Sequence, residues 1–138
     1  MLQRERCCGQ CPFAKSTPKT YLDTMGQNGQ KFIGQAQAGM YLPCHMEVGF
    51  GEFLKNPHLP QCAGAAKYRA NVGIEVPKGI GTLPPDRETV FESPEELLAH
   101  HRGIDLEHAK RIMATVPATY LARMELLQGR FIRIPFNE

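Results

Sequence analysis

Residues 93–103 read Ser93-Pro94-Glu95-Glu96-Leu97-Leu98-Ala99-His100-His101-Arg102-Gly103. Serine at the cap, proline at the first helical position and glutamate three residues after the cap together satisfy or spare the N–H groups that a helix start leaves unbonded. Leu97, Leu98 and His101 then share one face, and Gly103 ends the helix. Toward the C-terminus, Asp105 can cap a second helix whose apolar positions Ile112, Met113 and Val116 run to Pro117. Tyr120, Leu121, Met124 and Leu127 predict a third, stopped by Gly129, and Phe131-Ile132-Arg133-Ile134 alternates as a short strand does.

Toward the N-terminus the pattern loosens. Val76 to Pro85 is too rich in proline and glycine for regular structure. Cys62 to Asn71 (CAGAAKYRAN) combines small residues with good helix formers, so a helix begins at a cysteine there. Asn28 to Ala38 places Phe32, Ile33 and Ala36 on one face and stops at Gly39. The expected fold is therefore mainly α with much irregular chain, a small α or α+β domain stapled by a metal, with a short C-terminal strand. One domain spans 1–138: a cysteine-rich, metal- or cluster-binding half over 1–73, a Pro/Gly-rich connector over 74–92 and a helical, partner-binding part over 93–138.

The chain has 138 residues, which suits one core and not two. Hydrophobic residues at 42% and charged residues at 22% exclude wholesale disorder. The formal charge of +2 is too small for the global field that gathers nucleic acid or acidic membrane. No stretch approaches the roughly 20 apolar residues of a membrane span, and Met1 to Arg6 lacks the apolar segment of a secretory signal. A cytoplasmic protein is expected, and in that reducing compartment thiols at ligand-like spacings hold metal or do redox work rather than form structural disulfides.

There are 5 cysteines. Cys8 and Cys11 form a Cys-x-x-Cys pair followed by Pro12; Cys44 and Cys62 stand alone further on. Four thiolates suit tetrahedral zinc or an iron–sulfur cluster. A single tight pair and the Cys-Pro step favour a four-iron, four-sulfur cluster, with zinc as the alternative. Pro43 stiffens the approach to Cys44, and Cys62-Ala63-Gly64 leaves room for a bulky group near a helix start, where backbone N–H groups can stabilise thiolate charge. Cys7 is the odd thiol: adjacent cysteines point apart, so Cys8 is preferred as ligand, leaving Cys7 as a substitute ligand, a redox-sensitive neighbour or an incidental residue. His45 buttresses its neighbouring ligand rather than binding; His58 is a weaker candidate for a three-cysteine, one-histidine site. His100, His101 and His108 could form a second site, although histidines on helix surfaces are commoner.

The order Cys-x-x-Cys-Pro-Phe (8–13), Pro-Cys-His (43–45), Gln-Cys-Ala-Gly-Ala-Ala (61–66) with Tyr68-Arg69-Ala70-Asn71, and Asp86 to Phe91 running into Ser93-Pro94-Glu95-Glu96 resembles a group of small cysteine-rich proteins encoded by bacteriophages and some bacteria. The similarity spans residues 7–102. It implies a metal or cluster site at Cys8, Cys11, Cys44 and Cys62, and it brings no reaction with it.

Three functions compete. The first is a binding or regulatory module whose metal centre fixes the irregular half while the helices engage a host or phage protein in the host cytoplasm; a cluster would add sensitivity to oxidants. The second is an enzyme, either a dithiol oxidoreductase or a nucleic-acid enzyme with a structural cluster. Against it, the strand that precedes a thioredoxin-type Cys-x-x-Cys is missing, as are a phosphate loop, a Gly-x-Ser-x-Gly elbow and a His-Glu-x-x-His motif. The third is DNA binding by the helices at 106–115 and 118–128, with Lys110, Arg111, Arg123, Arg130 and Arg133 available to meet phosphates, although Asp105, Glu107 and Glu125 interleave with them. Four thiolates on a divalent centre bring the net charge to about zero. A protein partner comes first.

Overall fold

The computed structural model describes residues 7, 11–27, 29–37, 42, 61–76 and 80–115. It is mainly helical: α1 (Tyr21–Thr24), α2 (Gly29–Gln37), α3 (Ala63–Val72), α4 (Pro94–Arg102) and α5 (Leu106–Thr115), joined by irregular chain. Among these residues the extended pairing is an isolated antiparallel bridge between Ala14 and Val90. No helix among them is long and apolar enough to cross a membrane. The helix expected to end at Gly129 and the strand at 131–134 lie outside the described residues.

Helix α4 forms where its capping residues place it. Ser93 is extended, its Oγ accepts the Glu96 N–H at 3.2 Å, and Pro94 opens the first turn. Gly103 closes the helix at φ +65°, with the N–H groups of Gly103 and Ile104 both donating to the Ala99 carbonyl. Leu97, Leu98 and His101 are buried. The helix is central, packing against α1, α2 and α5. Asp105 caps α5 as expected, accepting the His108 N–H at 2.7 Å.

Helix α3 has no apolar stripe because it is covered nearly all round. Ala63, Gly64, Ala65, Ala66, Tyr68, Arg69 and Asn71 are all buried, and the small ones let neighbouring chain approach its first turn closely. Its long polar side chains organise the surroundings. Arg69 Nε donates to the Ala36 carbonyl of α2 at 2.9 Å, and its Nη1 donates to Gln61 Oε1 at 2.7 Å. Asn71 accepts the Asp86 N–H at 2.8 Å and donates to the carbonyls of Asp86, Val90 and Phe91. The second half of the connector is thereby built into the core, with Val90 and Phe91 buried.

The loop 11–17 is held from three sides. Its backbone pairs with 89–91 through Lys15 N–H to Thr89 O at 2.8 Å and Phe91 N–H to Phe13 O at 3.1 Å. Phe13 stacks at a tilt on Tyr68 of α3, ring centroids 5.2 Å apart. From α4, His100 Nε2 donates to Thr17 O at 2.6 Å and His101 Nε2 to Pro12 O at 2.7 Å. The carbonyl only accepts, so the His101 proton sits on Nε2; Nδ1 is then free to accept the Leu22 N–H at 3.4 Å. Among the described residues, no group of three or more His, Cys, Asp or Glu side chains is arranged to hold a metal ion. His100 and His101 instead tie the loop to α4.

Burial pushes the His101 pKa below its ordinary 6.5; neighbouring His100 acts in the same direction, while the Pro12 carbonyl and Asp23 oppose it. Protonating Nδ1 would also set two N–H groups face to face. The unfolded chain therefore takes up this proton at a higher pH than the folded one, and stability present above about pH 6.5 is lost as pH falls below it. Thermal unfolding between pH 7 and 5 should show the midpoint of the parent chain falling, with a shallower slope in His101→Gln even if that variant starts lower. Parallel slopes would remove His101 as the cause.

Candidate metal centre

The first turn of α3 and residue 11 meet where a glycine permits it. A methyl group at Gly64 would collide with Cys11 Sγ, lie 3.0 Å from Phe13 Cβ and 3.6 Å from Cys7 Sγ. The missing side chain is thus the space into which sulfur packs. Cys62 caps the same helix, and its sulfur stands 3.8 Å from that of Cys11. Both are buried, Cys11 completely and Cys62 to 8% exposure. Cys7 is half-buried, and its sulfur borders the same gap at Gly64 as that of Cys11.

The electrostatics favour a thiolate at Cys62. The hydrogen bond from Cys11 lowers its pKa, burial opposes this, and the backbone N–H groups of Ala65 and Gly64 at the helix start assist. Cys11, as the partner that keeps its proton, is pushed up by its hydrogen bonds with Cys62 and Cys7 and by burial. Cys7 is lowered to about 7, first by the Cys11 hydrogen bond and then by the Lys67 ammonium, against burial and Asp86. Cys62 in turn partly restores the charge of buried Arg69, whose pKa burial lowers to about 10.

Of the four proposed ligands, Cys11 and Cys62 are brought together across 51 residues of chain. Cys8 and Cys44 lie outside the described residues, as do His45 and His58. Cys7, set aside from the sequence as the odd thiol, borders the gap at Gly64 together with Cys11. His108 lies on α5 and is exposed. Sequence reasoning missed the tie from His100 and His101 to the loop, although the common face of Leu97, Leu98 and His101 was a signal that this imidazole turns inward.

The chain matches no family model, no curated protein and no solved structure.

Gly64 offers a test in which two effects have opposite signs. By helix propensity alone, Gly64→Ala should stabilise α3 by up to about 1 kcal/mol. Collision with Cys11 Sγ and Phe13 should cost about 1–3 kcal/mol. Urea unfolding should show a lower midpoint for Gly64→Ala than for the parent; a raised midpoint would mean that α3 and the Cys11 loop are not in contact.

Proposed function

We propose that this chain is a small metalloprotein in which Cys11 and Cys62, completed by Cys8 and Cys44, bind one thiolate-ligated ion, and that it serves as a binding or regulatory module rather than an enzyme. The 3.8 Å between Cys11 Sγ and Cys62 Sγ carries this reading. Two sulfurs at about 2.3 Å from a tetrahedral zinc are about 3.8 Å apart. In a four-iron cluster each thiolate takes its own iron, which sets the sulfurs wider, so the separation favours zinc over the cluster that the Cys-Pro step suggests.

Cys8 and Cys44, outside the described residues, are near neighbours in sequence of described ones. Cys8 follows Cys7, whose sulfur borders the same gap at Gly64 as that of Cys11. The Leu42 carbonyl accepts the Cys62 N–H at 2.8 Å, so the chain passes the site two residues before Cys44. The ion would supply charge neutralisation and a cross-link among chain segments far apart in sequence. Resemblance to phage-encoded proteins suggests a protein of the host cell or the phage as partner, and a near-neutral net charge places nucleic acid second.

The test is anaerobic purification without chelator, with quantitation of zinc, iron and sulfide. One equivalent of zinc in a colourless protein is expected, and Cys11→Ser or Cys62→Ser should lose metal and unfold at lower denaturant, because ligation is coupled to folding. Iron with equimolar sulfide would replace zinc by the cluster. Absence of all three would overturn the metal reading. A gel shift of duplex DNA that weakens steeply with salt would move the partner to nucleic acid.

A further inference from the structure

Cys11 and Cys62 are 51 residues apart in sequence, yet their sulfurs stand 3.8 Å from each other and both residues are buried. Each thiol is held from its own side. Cys62 caps α3, and its N–H donates to the Leu42 carbonyl at 2.8 Å. Cys11 opens the loop 11–17: its carbonyl accepts Thr17 Oγ1 at 2.5 Å and the Ala14 N–H at 3.2 Å, and the loop is bound to residues 89–91 and to α4. Gly64 puts no side chain between Cys11 Sγ and the first turn of α3. Thiols fixed this way meet at a far higher effective concentration than in an unfolded chain, and closure to a bond of about 2.05 Å asks for only about 2 Å of sulfur travel.

We propose that Cys11 and Cys62 are a redox latch: a hydroperoxide converts the pair to a disulfide, which fastens the loop 11–17 covalently to the start of α3. The proposal uses the two sulfurs alone and needs no ion. In the first step the Cys62 sulfur, at 8% exposure the more open of the two, attacks the terminal oxygen of the hydroperoxide. An S–O bond forms, the O–O bond breaks, and the other oxygen takes the thiol proton and leaves as the alcohol, or as water from hydrogen peroxide. In the second the Cys11 sulfur attacks Cys62; the S–S bond forms, the S–O bond breaks, and hydroxide leaves with the Cys11 proton as water. Each sulfur gives one electron, and the two reduce one peroxide bond. The stack of Phe13 on Tyr68 and the carbonyl contacts of His100 and His101 then hold a loop that can no longer swing away from α3. A thiol reductant reopens the latch by exchange.

The experiment treats the full chain with a small excess of hydrogen peroxide, once folded and once in concentrated urea, then alkylates, digests with trypsin and maps the first disulfide by mass spectrometry. Tryptic peptides 7–15 and 56–67, joined and fragmented to show the link at Cys11, report the latch. In the folded chain this bond should exceed every other pairing several-fold; in urea, where closing a long loop costs more entropy than closing a short one, pairings among Cys7, Cys8 and Cys11 should lead. The oxidised chain should also unfold at higher urea than the reduced one, a shift that dithiothreitol reverses and that Cys11→Ser lacks. Cys8–Cys11, Cys7–Cys11 or any bond to Cys44 as the first product of the folded chain would overturn the latch, as would the same product distribution in both states. Metal content of the same sample is a separate reading: a metal-free chain that forms the Cys11–Cys62 bond keeps the latch and loses the ion, whereas a zinc-loaded chain that keeps both thiols reduced, before and after zinc is removed with a chelator, does the reverse.

Discussion

The close approach of Cys11 to the first turn of α3 is the constraint on which the described structure depends. It exists because residue 64 has no side chain, so sulfur occupies the volume a Cβ would take. Any larger residue would push the loop 11–17 away from α3, and the loop would then lose its stack of Phe13 on Tyr68 as well as the neighbourhood of Cys62. Close packing transmits such a displacement instead of absorbing it.

Other contacts hold the loop to the same position independently. Residues 89–91 pair with its backbone, Asn71 fixes residues 86–91 to α3, and His100 and His101 bind its carbonyls from α4. This redundancy has a functional consequence. On the proposed metal reading, a thiol pair held at 3.8 Å by surrounding packing would present two ligands already oriented, leaving less ordering for the ion to impose. The helix start adds N–H groups that stabilise sulfur charge at Cys62, and buried Arg69 lies near enough to feel that charge.

What the sequence disclosed was mostly local. Ser93-Pro94-Glu95-Glu96 placed α4, Gly103 ended it, and the run of small residues after Cys62 marked both α3 and the space beside a ligand. What escaped was set by contacts distant in sequence. Helix α1 is four residues long, too short for periodicity; it starts from Thr20 in a left-handed conformation at φ +63°, whose N–H is held by the His100 carbonyl. No rule of spacing assigns that backbone to a threonine. The connector gave only its proline and glycine content, while residues 86–91 are anchored by Asn71 and Lys67 of α3 and by backbone pairing with the loop 11–17. The meeting of Cys11 and Cys62 was legible as a spacing pattern, because four thiols in a reducing compartment point to a shared site, but the nearness of Cys7 was not, since adjacent cysteines leave open which one turns inward.

The central claim is that these sulfurs share one ion. X-ray absorption on the anaerobically purified chain measures this directly through the number and type of atoms around the metal. A zinc edge with four sulfurs at about 2.3 Å is the predicted result. A shell of nitrogen and oxygen without sulfur would contradict it, as would an iron edge with a short iron–iron vector.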